Sequence, residues 1–463
     1  MTRSLTRELV GAVLELRPAE ADLAAVRALL LDHLAVAAFG AGTDAGRIMR
    51  EHVLGDLGGD GPTLPLVGTA QEAPALAAAM GNAVAAASYE YDDTHTAASL
   101  HPGAVIFPSA LAAVVVSGGD EERFLRAVVA GYEVMCRTGR AVNPQAHRAR
   151  HFHPTSTTGH FGAAAAAAVC FGLDVDRTVA ALTLSGTVAG GSMQFLAEGA
   201  WTKQVHPAFA VQRGVQAAQL AARGFPGVHD PIAGERAFLA AESADPRPEL
   251  LLQGLGRDPL EVRNTGIKPY PSCRNTQTPL DALLLLKRAH GLRPEEVASI
   301  RFGLVKPGIV TVWEPVDRKR RPQGLVDAQF SLPYVAAIAL VEGRVGLEHF
   351  RPERITDRSL WALMDRVECI NDPALDRRHP PSWPAWVEVR TKEGAILRQE
   401  VENPRGDPAN PLTEAELLEK FADCADGAFD ERRREELWRT IQRLPERGSL
   451  ERLLELLRQG VTG

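Results

Sequence analysis

Cysteine is sparse in this chain. Its five copies, Cys136, Cys170, Cys273, Cys369 and Cys424, form no CxxC pair and no disulfide-like spacing. A disulfide-stapled fold and a paired-cysteine zinc site are thereby excluded, and a reducing cytoplasm fits best. Aromatic residues supply 6% of the sequence, little with which to line a carbocation pocket. No window approaches the roughly 18 uncharged apolar residues of a membrane helix. Met1–Arg17 lacks the long apolar run of a secretory signal, and Glu8 and Glu15 argue against a transit peptide. No GxGxxG lies between a strand and a helix, and no GxxxxGK loop occurs, so phosphate and dinucleotide chemistry has no carrier.

An excess of positive charge is missing too. The net charge of −7 disfavours nucleic acid or an anionic membrane as partner. A small anionic substrate stays compatible, because one local basic pocket is enough to hold it. The expectation is a soluble cytoplasmic protein.

What is present is helix. At 463 residues the chain exceeds what one hydrophobic core usually supports, so two domains are expected. Apolar residues recur at helical spacing in 21-ADLAAVRALLLDHLAVAAFG-40, 121-EERFLRAVVAGYEVMCRTG-139 and 206-HPAFAVQRGVQAAQLAARG-224. The segment 160-HFGAAAAAAVCFG-172 is small on every side and suits the centre of a bundle. Near residue 298 the texture changes to short β-like runs at 299–305, 366–370, 385–391 and 396–402, the last two reading as a hairpin. Helices are expected between them at 332–343 and 357–367. The fold class is therefore mainly α. Residues 1–264 and 404–463 form a large helical domain, and 265–403 form a smaller α+β domain.

Ionisable residues gather in four islands at the ends of small-residue helices, where helix termini can meet in a cleft. The first, 89-YEYDDTHTAASLHPG-103, holds Glu90, Asp92, Asp93, Thr94, His95 and His101. A solvated helix end is its bland reading. Two aspartates followed by two histidines exceed what a turn needs, and they match general acid–base chemistry. The second, 151-HFHPTSTTGH-160, offers His153 and a Thr or Ser cap whose helix N-terminus could attract an anion. The third, 198-EGAWTKQVHP-207, supplies Lys203 and His206. The fourth, 266-GIKPYPSCRNTQ-277, supplies Lys268, Cys273 and Arg274. Surface lysines are the default for each cation; in such surroundings Lys203 and Lys268 suit carboxylates as point charges, and Arg274 could add a clamp. Cys273 reads first as a buried small hydrophobe.

Rival chemistries fit less well. HxH near aspartates could bind zinc or iron, but no HExxH or other strong ligand spacing supports a metal. An isoprenoid synthase needs DDxxD, and here the run is DDTHT. A non-catalytic helical binding protein would leave the four islands unexplained.

At these islands the sequence resembles the MmgE/PrpD family of 2-methylcitrate dehydratase, cis-aconitate decarboxylase and iminodisuccinate epimerase. The carrying motifs are YDDTH with HPG ten residues after its tyrosine, HPTSTTGHFGAAAAAA, SMQFLAEGAWTKQVHP and KPYPSCR. The resemblance implies a helical domain with a smaller lid domain, a homodimer, and no metal or organic cofactor. It implies a lyase that makes or breaks a C–H bond beside a carboxylate. Carried over by motif, it points to Asp93, Thr94, His101, His153, Lys203 and Lys268, with Glu90 where the decarboxylases have an aspartate. In this reading His101 transfers the proton and Asp93 orients it. His153 is the second acid–base candidate, and Lys203 and Lys268 hold carboxylates. Cys273 and Asn275 stand where decarboxylase-like relatives carry histidine, and Phe152 replaces a tryptophan common before His153. Dehydratase, decarboxylase and epimerase readings stay open, with the dehydratase-like lyase favoured.

Overall fold

A computed structural model describes residues 3–257, 259–380 and 382–458. Small residues set its architecture. The helix Pro154–Cys170 is buried along its whole length. It packs against Gly103–Ser117, Glu121–Ala141, Val175–Gly186 and Thr202–Ala222. Such close approach needs glycine at the crossing: a Cβ on Gly214 would lie 2.4 Å from Ala163 Cβ. The helix starts at Pro154, earlier than its alanine run suggests, because proline suits the first helical turn.

The helix Glu20–Gly40 differs from expectation in one respect. By length and composition it could cross a membrane, yet 72% of its apolar window is buried inside the protein. Its apolarity serves the core, where Asp32 pairs with Lys420 of the helix Glu414–Cys424.

Buried side chains form two main cores. The first draws on Leu9 to Val262 and again on Leu417 to Leu457, so the chain leaves this core and returns to it. The second runs from Tyr270 to Val389. It wraps a four-stranded sheet in the order Val367–Asn371, Val297–Leu304, Ala385–Thr391, Ile396–Val401. The first pair is parallel and the others antiparallel. Helix Arg274–His290 packs on the strands Ala385–Thr391 and Ile396–Val401, and Leu332–Glu342 packs on that helix. The expected helix 357–367 is only a 3₁₀ turn, Arg358–Leu360, and one α turn, Trp361–Met364. The strand beginning at Val367 claims the residues that would extend it.

The junction of the two cores positions the site. A two-residue ladder pairs Thr94 with Gly266 and His95 with Thr265, tying the first island to the fourth. His95 itself is spent on structure, with Nε2 2.8 Å from Glu261 in a buried network with Arg140.

Candidate active site

The loop after helix Ala75–Ala87 forms one wall. Glu90 (φ 55°) and Ser99 (φ 54°) adopt left-handed backbone, which non-glycine residues hold only when their surroundings enforce it. His101 Nδ1 lies 2.8 Å from the main-chain oxygen of Asp93. A carbonyl oxygen only accepts, so Nδ1 carries the proton and Nε2 of the neutral ring keeps a lone pair. Burial lowers the His101 pKa to about 4. The His101 amide donates to Thr155 Oγ1 at 3.1 Å.

The expected role of Asp93 is corrected here. Its carboxylate turns from His101 and accepts from the Gly103 amide (2.9 and 3.1 Å) and the Tyr132 hydroxyl (2.7 Å). Burial raises its carboxyl to about 8. The acid nearest the His101 ring is Asp92, with Oδ1 3.5 Å from Nδ1. Asp93 thus orients His101 through its backbone, because its side chain is needed at the start of helix Gly103–Ser117.

His153 caps the next helix by backbone position, with no side-chain cap bond. Thr155, one of the Thr and Ser residues that could have capped it, receives the His101 amide. His153 Nδ1 lies 3.0 Å from His206 Nδ1. Burial pushes His206 to about 4 and His153 well below its usual range. At neutral pH two uncharged rings share one N–H between them.

Cations complete the site. Lys203 Nζ pairs with Glu90 Oε1. Lys268 is fully buried and donates to the Glu90 carbonyl at 2.9 Å, with the Glu90 and Asp92 carboxylates each 3.4 Å away. Lys420 arrives from the helix Glu414–Cys424 and donates to the carbonyls of Tyr91 (2.8 Å) and Lys268 (2.9 Å). It staples the first and fourth islands to Asp32 of the bundle. Arg274 NH2 is held by Asp407 and by Thr96 Oγ1 at 3.3 Å, whereas its Nε and NH1 have no partner.

A partly open cavity of about 50 Å³ lies among these groups. Glu90, Thr94, His101, His153 and Lys203 line it from the helical side, and Cys273 and Arg274 from the other. Asp93, His206 and Lys268 do not line it and act from behind the wall. Lys268 is therefore not a direct carboxylate holder, since its three donors serve protein oxygens. Sequence reasoning missed Arg148, which lines the same cavity. In 144-PQAHRAR-150 nothing separates it from the exposed Arg150. Among the described residues, no cluster of three His, Cys, Asp or Glu side chains could hold a metal ion.

Two neutral imidazoles and several cations line one cavity where a helical and an α+β unit meet, a candidate enzyme site. The MmgE/PrpD N-terminal domain matches residues 9–251 and the MmgE/PrpD C-terminal domain matches residues 270–445, and the chain belongs to this family. It is 28% identical to the cis-aconitate decarboxylase-like protein oryM of Aspergillus oryzae, over 98% of this chain and 97% of that one. Human cis-aconitate decarboxylase is 29% identical over 75% of this chain and 72% of its own length. A mitochondrial 2-methylcitrate dehydratase of Yarrowia lipolytica is 25% identical over 35% and 32%. The enzyme is a lyase.

Proposed function

We propose that this enzyme is a cofactor-independent lyase acting on a di- or tricarboxylate by proton transfer beside a carboxylate. One observation carries the reading: His101 and His153, both held neutral by burial, line one cavity with Lys203, Arg148 and Arg274. A neutral imidazole with a bare Nε2 is a base at physiological pH. Removing a proton beside a carboxylate builds negative charge, and fixed cations lower the cost of that charge.

For dehydration, His101 Nε2 takes the α-proton, the C–O bond breaks while His153 hydrogen-bonds the departing oxygen as a neutral donor, and the hydroxide takes the proton back from His101 to leave as water. Decarboxylation is the second reading, favoured because the decarboxylase relatives match far more of the chain than the dehydratase. There the C–C bond breaks, carbon dioxide leaves, and the carbanion takes a proton from an imidazole N–H that water re-protonates. At about 50 Å³ the cavity holds roughly four water-sized groups.

Proton NMR in heavy water tests the reading, with 2-methylcitrate, citrate and cis-aconitate offered to wild type and His101→Ala. Loss of an α-proton signal or a new vinyl signal, absent in the variant, is expected. Unchanged spectra throughout the panel would remove the polycarboxylate assignment. The reading extends to a cytoplasmic homodimer, which sedimentation velocity of the purified protein checks for assembly.

A further inference from the structure

Arg148 is a cation without a counter-ion. It sits on the short helix Pro144–Ala149, which the chain enters at Asn143 (φ 57°) and leaves before His151 (φ 66°). One NH2 contact, 3.1 Å to the carbonyl of Ser99, fixes its direction. Ser99 lines the cavity, and its own left-handed backbone belongs to the His101 loop. The Arg148 Nε is buried without a partner, and no carboxylate among the described residues pairs with this guanidinium. Arg274 repeats the situation across the same cavity: Asp407 occupies NH2, while Nε and NH1 are buried and unpartnered.

Leaving such groups unmet is costly, and an arginine cannot shed its proton to escape the cost. On the remaining wall the charge is already answered, since Glu90 faces Lys203 and Lys268. The unmet positive charge of the cavity therefore lies with Arg148, and Arg274, its charge paired with Asp407, adds two unmet N–H donors. A guanidinium edge matches a carboxylate through two parallel N–H···O bonds. We propose that Arg148 and Arg274 form an anion subsite that holds a second substrate carboxylate, away from the one beside the reacting carbon. Arg148 is its specificity-determining residue, selecting substrates with two or more carboxylates over monocarboxylates. This rests on the lyase reading above and names which groups recognise the substrate.

Calorimetric titration with tricarballylate tests it, since this tricarboxylate has neither a hydroxyl to lose nor a double bond. Wild type is expected to bind it, and Arg148→Gln to bind it at least 10-fold more weakly, about 1.4 kcal/mol. Propionate affinity should be the same in both. Without ligand, Arg148→Gln should melt no lower than wild type, because the change removes an unanswered charge; a purely structural arginine would give a lower melting temperature. Equal tricarballylate binding by wild type and Arg148→Gln overturns the subsite and leaves the lyase reading standing. No binding by wild type overturns both. Should Arg148→Gln fail to fold, Arg148→Lys keeps the charge without the fork, and wild-type affinity in that variant overturns the bidentate role.

Discussion

His101 Nδ1 rests 2.8 Å from the carbonyl oxygen of Asp93, and the Asp93 carboxylate faces the other way, toward Tyr132. The main chain, rather than an acid side chain, fixes the tautomer of this imidazole. Its base is thus available at neutral pH even with the Asp92 carboxylate 3.5 Å away, because burial outweighs the upward pull of that charge.

The pH profile should reflect this. With the folded pKa near 4, against about 6.5 when unfolded, His101 is neutral in the native state across that interval. A depressed folded pKa contributes stability above pH 6.5 that is lost as pH falls through 4. The acid limb of kcat/KM is expected close to pH 4, with stability also falling from pH 6.5 downward. A limb centred at 6.5 would contradict the assignment. His101→Ala should lower kcat by about 10²–10⁴-fold, with the melting temperature little changed.

Asp93 titrates with the opposite sign. Its folded pKa near 8 exceeds the unfolded value of about 3.9, so its stability contribution is complete below pH 4 and lost as pH rises through 8. Asp93→Asn should flatten the decline in stability between pH 5 and 9, measured by urea denaturation. Because the backbone orients His101, this variant should keep kcat within about 10-fold of wild type, an effect smaller than removing the base itself. A loss as large as that of His101→Ala would return the orienting role to the carboxylate.

The two site lysines should separate by readout. Lys203 lines the cavity and Lys268 lies behind it. Lys203→Met should raise KM with a modest change in melting temperature. Lys268→Met leaves Asp92 without its buried cation, while Glu90 keeps Lys203, and should cost about 3–5 kcal/mol of stability. Identical profiles for the two variants would show that they act together.

Lys420 offers a longer-range test. Lys420→Met strands Asp32, again at about 3–5 kcal/mol, and frees the carbonyls of Tyr91 and Lys268. The double variant Asp32→Asn/Lys420→Met should recover much of the melting temperature but not kcat, since only the lysine braces the loops. Joint recovery of both would reduce Lys420 to a structural ion pair.

Much of this arrangement is legible in the sequence where local chemistry decides it. The hairpin Ala385–Val401 follows from alternation and a turn at Gly394, whose φ of 91° suits glycine. The islands at His101, His153 and Lys203 are legible because ionisable groups interrupt small apolar helices. What tertiary contact decides is not legible. The ladder of Thr94–His95 with Thr265–Gly266 is too short to leave a period. Arg148 and Lys420 look like ordinary cations on helices, and only the fold turns one to the cavity and the other to two carbonyls. Asp93 carries a motif position whose work is done by its backbone, which no side-chain pattern records.

The ammonium that anchors Tyr91 and Lys268 belongs to the helix Glu414–Cys424, beyond the entire α+β segment. A growing chain has therefore made every wall of the cavity before it makes that anchor. Competence becomes a matter of completion: ribosome-stalled chains of graded length should acquire tricarballylate binding only once that helix has emerged. A protease that cuts between Arg405 and Thr413 could likewise silence the enzyme while leaving each histidine and arginine of the cavity in place.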